Sequence, residues 1–223
     1  MTTRSFRSRL EAMVETLAAH PDVVVFELHF GSPASGAVLR EAEARSGFVL
    51  PEAMVEFYAT HNGVFLEWGL RGETYQRTDP YEYPDYGAPP GCINMLPISA
   101  VMTKEWQSSC HVNELESGQE ELFFGRKLDP ERPIETVTLD NFSKFNHADL
   151  VLGPEPVVIV STDHGADLYS SDFMSFETYL EVLLSVFATN RYAATCSDDP
   201  QRLLAPRERP GLDELIEGLR DRE

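Results

Sequence analysis

The feature that most limits what this chain can fold into is a helical stripe in its last third. From Ser175 onward, Phe176, Tyr179, Leu180, Leu183, Leu184 and Phe187 recur at the i, i+3, i+4, i+7, i+8, i+11 spacing. Ser175 carries a hydroxyl suited to capping the first turn. So many bulky side chains on one side need an apolar surface to cover, and the preceding residues supply it in short pieces. Segments 134–139, 150–152, 157–161 and 166–170 are extended candidates separated by turn residues. Strands this short and closely spaced pair mainly as antiparallel neighbours. The expected fold class is α+β, a single domain with a mainly antiparallel sheet flanked by helices.

The first half fits the same plan. Phe6, Leu10, Met13, Val14 and Leu17 share one side of an amphipathic helix stopped by His20-Pro21, and 22–30 is β-branched and aromatic like a strand. Ser35 can cap a short helix through Arg45, with Gly47 suited to the left-handed residue that ends it. Leu50-Pro51 opens the next helix, with Met54, Val55, Phe57 and Tyr58 inward, and His61-Asn62-Gly63 turns into a strand at 64–70. Residues 71–91 hold prolines at 80, 84, 89 and 90 and few aliphatic side chains, so a long exposed loop is expected. Beyond it, 93–98 is strand-like and 99–107 helix-like. Helix and loop are expected over 108–133, where Glu114, Glu116, Glu120 and Glu121 form an acidic stretch. Leu212, Leu215, Ile216 and Leu219 mark a small terminal helix after a polar linker.

Composition narrows the partners. Thirty-seven acidic against 18 basic residues give a formal charge of −19, which repels phosphate backbones and anionic lipid headgroups. No direct nucleic-acid or membrane partner is expected, and a basic protein is. No apolar run approaches the roughly 20 residues of a bilayer span, and no secretory signal is evident, so the expected location is the cytoplasm. Cys92, Cys110 and Cys196, odd in number and far apart, suggest reduced structural thiols.

The order Leu50-Pro51, Phe57-Tyr58, Asn62-Gly63 resembles the SUKH superfamily (the SMI/KNR family), whose members carry a Leu-Pro helix start and an Asn-Gly turn. Leu96-Pro97 after a strand, Asp163-His164-Gly165 in a late hairpin and Ser175-Phe176-Glu177-Thr178-Tyr179-Leu180 opening the last core helix continue the likeness. The resemblance implies a SUKH-like domain over 1–192, its core at about 35–190 with insertions at about 71–91 and 108–149, followed by a linker and helix at 193–223. Leu50, Pro51, Phe57, Asn62 and Gly63 would then be structural motif residues. The resemblance also implies a role class, since many bacterial members are immunity proteins that bind and neutralise a polymorphic toxin, often a nuclease. Fungal relatives are regulatory interaction proteins.

Catalytic and metal chemistry find little support in the residues. Asp163, His164 and Asp167 have metal-ligand types, but a turn between strands needs such residues for its backbone. There is no GxSxG elbow, GxGxxG or GxxxxGK, and the side chains of Cys110 and His111, adjacent in sequence, diverge on most backbones. No catalytic residue, metal or cofactor is expected. The 71–91 loop stands apart: Tyr75, Tyr81, Tyr83 and Tyr86 lie among Glu73, Asp79, Glu82 and Asp85, with only Arg77 to offset them. Tyrosines give contact area at small entropic cost and carboxylates steer a basic partner, so Tyr75, Asp79, Tyr81, Glu82, Tyr83, Asp85 and Tyr86 are the candidate partner-binding residues. The alternative is that the tyrosines pack back on the domain's own sheet. The expected function is accordingly a non-catalytic binding domain of the immunity type, with a regulatory scaffold as the other possibility.

Overall fold

A computed structural model describes residues 3–103, 107–110, 121–123, 126–128, 134–153, 155–162, 173–189, 191 and 210–221. Helix α1 (Thr3–Ala19) leads into strand β1 (Val23–Phe30), then α2 (Gly36–Ser46), α3 (Glu52–Thr60), β2 (Val64–Leu70) and β3 (Gly91–Met95). After α4 (Ile98–Thr103) come β4 (Gln107–Cys110), β5 (Glu121–Phe123), β6 (Arg126–Leu128), β7 (Ile134–Asp140), β8 (Asn146–Val151) and β9 (Val157–Thr162). Helices α5 (Phe176–Ser185) and α6 (Leu212–Arg220) complete the described elements.

The strands β1-β2-β3-β7-β8-β9 form one antiparallel sheet in that order, with β4 as a seventh strand on β7, and β5 and β6 pair separately. β3 meets β7 only at Met95 and Asp140, while β4 pairs with the other end of β7, so the two share one of its sides. The expected α+β class, a mainly antiparallel sheet flanked by helices in a single domain, is what the chain adopts.

Local signals worked where caps are specific. The Ser35 hydroxyl accepts a hydrogen bond from the Val38 amide, and Gly47 adopts φ 76° at the end of α2. Pro51 sits just ahead of α3, and Leu50 beside it is buried. The Asn62 side chain accepts from the Ile98 amide at 2.9 Å, tying the turn before β2 to the start of α4. Gly63 has φ 102°, and a Cβ there would fall 2.9 Å from the Met95 carbonyl oxygen, so the turn takes only glycine. Phe57 is fully buried against Phe6, Tyr58 and Phe176.

Several expectations need correction. Among the described residues of 108–133 there are strands where helix and loop were expected. Within the 108–149 stretch lie β7 and the first residues of β8, which stand between β3 and β9. The helix expected over 99–107 is shorter and starts earlier, and the strand expected at 150–152 runs Asn146–Val151 instead. α5 stops at Ser185, so Phe187 is not on its stripe. Phe187 and Ala188 are left-handed (φ 52° and 60°), which aims the Phe187 carbonyl at the Trp68 indole N–H (2.7 Å) and the Ala188 carbonyl at the Cys92 amide (2.9 Å). The expected strand at 166–170, the Asp163-His164-Gly165 turn, Asp167 and all but the last two residues of the 193–211 linker lie outside the described residues.

Side chains alternate across a strand, so β2 exposes its logic directly. Val64, Leu66, Trp68 and Leu70 join a core with Leu10, Met54, Phe57 and Leu183 from the helices. Phe65, Glu67 and Gly69 point the other way, and they too are buried.

Candidate functional site

The second face of β2 and β3 is covered by the 71–91 loop, and this cover sets the geometry of the surface. Glu67, fully buried, accepts from Arg77 Nε at 2.5 Å and from the Thr78 amide at 3.0 Å, which pins the middle of the loop onto the sheet. The Arg77 guanidinium also stacks 4.2 Å above the Phe26 ring. Tyr75 lies flat over Gly69, where an added Cβ would come within 2.4 Å of its ring, and its hydroxyl accepts from the Leu70 amide at 3.1 Å. Further on, the Asn94 side chain accepts from the Tyr81 amide and donates to the Glu82 carbonyl at 2.9 and 2.7 Å. Burial pushes the Tyr81 phenol above its ordinary pKa.

The loop is therefore half cover and half display: the exposure expected of it holds for one half, and the alternative of tyrosines packed on the sheet holds for the other. Tyr75 and Tyr81 pack on the domain's own sheet. Tyr83 and Tyr86 remain 43% and 64% exposed, and Asp79, Glu82 and Asp85 face solvent beside them. Among the described residues, only Asp85 of these three carboxylates has an ion-pair partner, Lys144 at 3.7 Å. The Lys144 ammonium sits 5.2 and 5.3 Å from the ring centres of Tyr83 and Tyr86, the Tyr83 hydroxyl donates to the Lys144 carbonyl, and Tyr86 meets Phe145 edge-on.

Lys144 and Phe145 belong to the turn between β7 and β8, and from there the surface falls into a groove of about 690 Å³. Residues 85–90 form one wall, 142–146 a second and α6 a third, with Val186 and Thr189 at the base. α6 reaches this position because Ile216 is buried, Arg220 pairs with Asp22 at 2.9 Å and His20 meets Asp213 at 3.1 Å. The terminal helix is thus part of the folded body.

Beneath the groove lies a buried polar knot. Asp140 accepts from the Asn94 amide (2.8 Å), the Tyr179 hydroxyl (2.5 Å) and the Arg191 guanidinium (2.5 Å). Arg191, fully buried, also donates to the carbonyls of Cys92, Ala188 and Thr189, and stacks 3.9 Å from the Phe142 ring that lines the groove. Burial opposes its charge, but the paired Asp140 carboxylate outweighs that and holds its pKa above the ordinary arginine value. Burial drives the Tyr179 phenol and the Cys92 thiol well upward, so both stay protonated and serve as structure. Among the described residues no group of three or more His, Cys, Asp or Glu side chains is placed to hold a metal ion.

Of the seven candidate residues, Asp79, Glu82, Tyr83, Asp85 and Tyr86 share an exposed edge, whereas Tyr75 and Tyr81 face inward. Sequence reasoning missed Phe142, Lys144 and Phe145. An aromatic-basic-aromatic turn between two strands was their only signal. It also missed Asp140 and Arg191, which carry none.

No protein-family model matches the chain, and no curated protein sequence matches it. Fold and surface define an α+β domain with an acidic, tyrosine-bearing edge beside an apolar groove. No described helix is long and apolar enough to cross a membrane.

Proposed function

We propose that this chain is a non-catalytic, cytoplasmic protein-binding domain of the immunity type, which neutralises a basic toxin domain by stoichiometric binding. The observation that carries it is the exposed edge at 79–86, where two solvent-facing tyrosines stand among three carboxylates, of which Asp79 and Glu82 have no cationic partner among the described residues, on a molecule of net charge −19. Exposed aromatic rings supply anchors for a partner, and uncompensated carboxylates steer a cationic one. The motif order resembling the SUKH superfamily adds support from a separate direction.

The test is co-expression with a polymorphic toxin domain encoded beside this gene. The expected result is rescue of growth and a one-to-one complex on gel filtration, with Tyr86→Ala weakening it. Rescue that persists without a complex overturns stoichiometric inhibition. A stable complex with an endogenous protein and none with the toxin favours the regulatory scaffold instead.

A further inference from the structure

We propose that the groove between the 85–90 loop, the 142–146 turn and α6 is a docking site for a basic amphipathic segment of a partner protein. Apolar side chains of that segment enter the groove, and its lysines or arginines meet the carboxylates around the rim. This rests on the protein-binding role proposed above and gives that role a surface.

The groove's size and lining suit such a guest. About 690 Å³ is enough for several side chains, and Tyr86, Pro89, Phe142, Phe145, Val186 and Leu219 give it apolar walls. Gly218, on the wall made by α6, has no described atom outside its own stretch of helix within 4 Å of where a Cβ would stand, so the helix leaves a notch facing open space. A pocket for a small molecule encloses most of its ligand. Here the aromatic lip stays open, with Tyr86 64% exposed, which fits a larger partner that continues beyond the groove.

Charge selects the partner's chemistry. Asp85 and Glu214 line the groove, Asp79 and Glu82 stand near Asp85 on the loop, and the single cation among the described lining residues, Lys144, is engaged with Asp85 and two rings. An anionic guest meets this field unfavourably, and a neutral apolar one leaves the carboxylates unmatched. A segment with leucine-like residues on one side and lysine or arginine on the other satisfies both walls and rim.

The probe is a fluorescein-labelled synthetic peptide of leucine and lysine at helical spacing, about four turns long, titrated with the full chain at about 150 mM salt. A second peptide keeps every lysine and replaces leucine by serine. The leucine peptide should bind at least about tenfold more tightly, roughly 1.4 kcal/mol. Gly218→Phe, which fills the notch, and Tyr86→Ala, at an exposed position, should each cost the leucine peptide about tenfold in affinity with the melting temperature unchanged. Equal binding to wild type and both variants means charge attraction alone and overturns the groove, while the toxin complex still decides the broader role. No binding to wild type overturns it as well. If the groove takes a small apolar dye, blocked by Gly218→Phe, but not the peptide, it is a small-molecule site and the proposal fails.

Discussion

Asp140 and Arg191 are both fully buried, and a charge withdrawn from water is costly unless it is matched. Arg191→Met should therefore destabilise the domain by about 3 to 5 kcal/mol, because it strands the Asp140 carboxylate among Asn94 and Tyr179. Adding Asp140→Asn should recover part of that loss, and urea unfolding of both single variants and the double variant measures the coupling. His61 makes an opposite case. It is 1% exposed among Phe30 and Phe57, its Nε2 has no hydrogen-bond partner among the described residues, and burial lowers its pKa, with Arg7 adding to the effect and Glu11 opposing it. The unfolded chain therefore takes up the proton first. Stability from neutral His61 is present above about pH 6.5, the ordinary histidine pKa, and is lost as pH falls below it. Melting curves between about pH 5 and 7 should show this decline, and His61→Phe should flatten it.

At the scale of elements, the two kinds of tyrosine separate cleanly. Tyr75→Ala exposes Gly69 and frees the Leu70 amide, so it should cost about 3 kcal/mol or more, whereas Tyr86→Ala should leave the urea midpoint unchanged. Equal midpoints for the two would mean that the loop does not hold the sheet's second face. On the other face, Leu183→Ala in α5, fully buried, should cost about 2 to 5 kcal/mol by the same measurement. What was legible in the sequence follows from the same distinction. Ser35, Gly47, Asn62-Gly63 and the α5 stripe each answer a local requirement, so their elements could be anticipated. β7 could be anticipated only as a short strand at 134–139, because its inner place in the sheet depends on pairing with β3, β4 and β8. The loop's role as cover turned on Glu67, a carboxylate in a strand whose burial is justified only by Arg77 and Thr78 ten residues later. The exposed half of the candidate site was legible because exposure is the default for acids and tyrosines between prolines. The groove was not, since four separated segments form it.

For the whole molecule, net charge acts on encounter more than on grip. Neutralising Asp79, Glu82 and Asp85 together should slow association with a basic partner and flatten its salt dependence, because exposed charges act through a field screened beyond roughly 8 to 10 Å at physiological salt. Dissociation should change little, and stopped-flow association at two salt concentrations reads the difference. The knot around Asp140 has a consequence for biosynthesis. A chain emerging from the ribosome can lay down α1 through α5 in order, yet the guanidinium that neutralises Asp140 arrives only with residue 191, after every strand of the described sheet has been made. Until then, closing β3 and β7 over the carboxylate carries the penalty of an unmatched buried charge. The nascent sheet is therefore expected to close late, with its apolar side within reach of chaperones until this one arginine has been added.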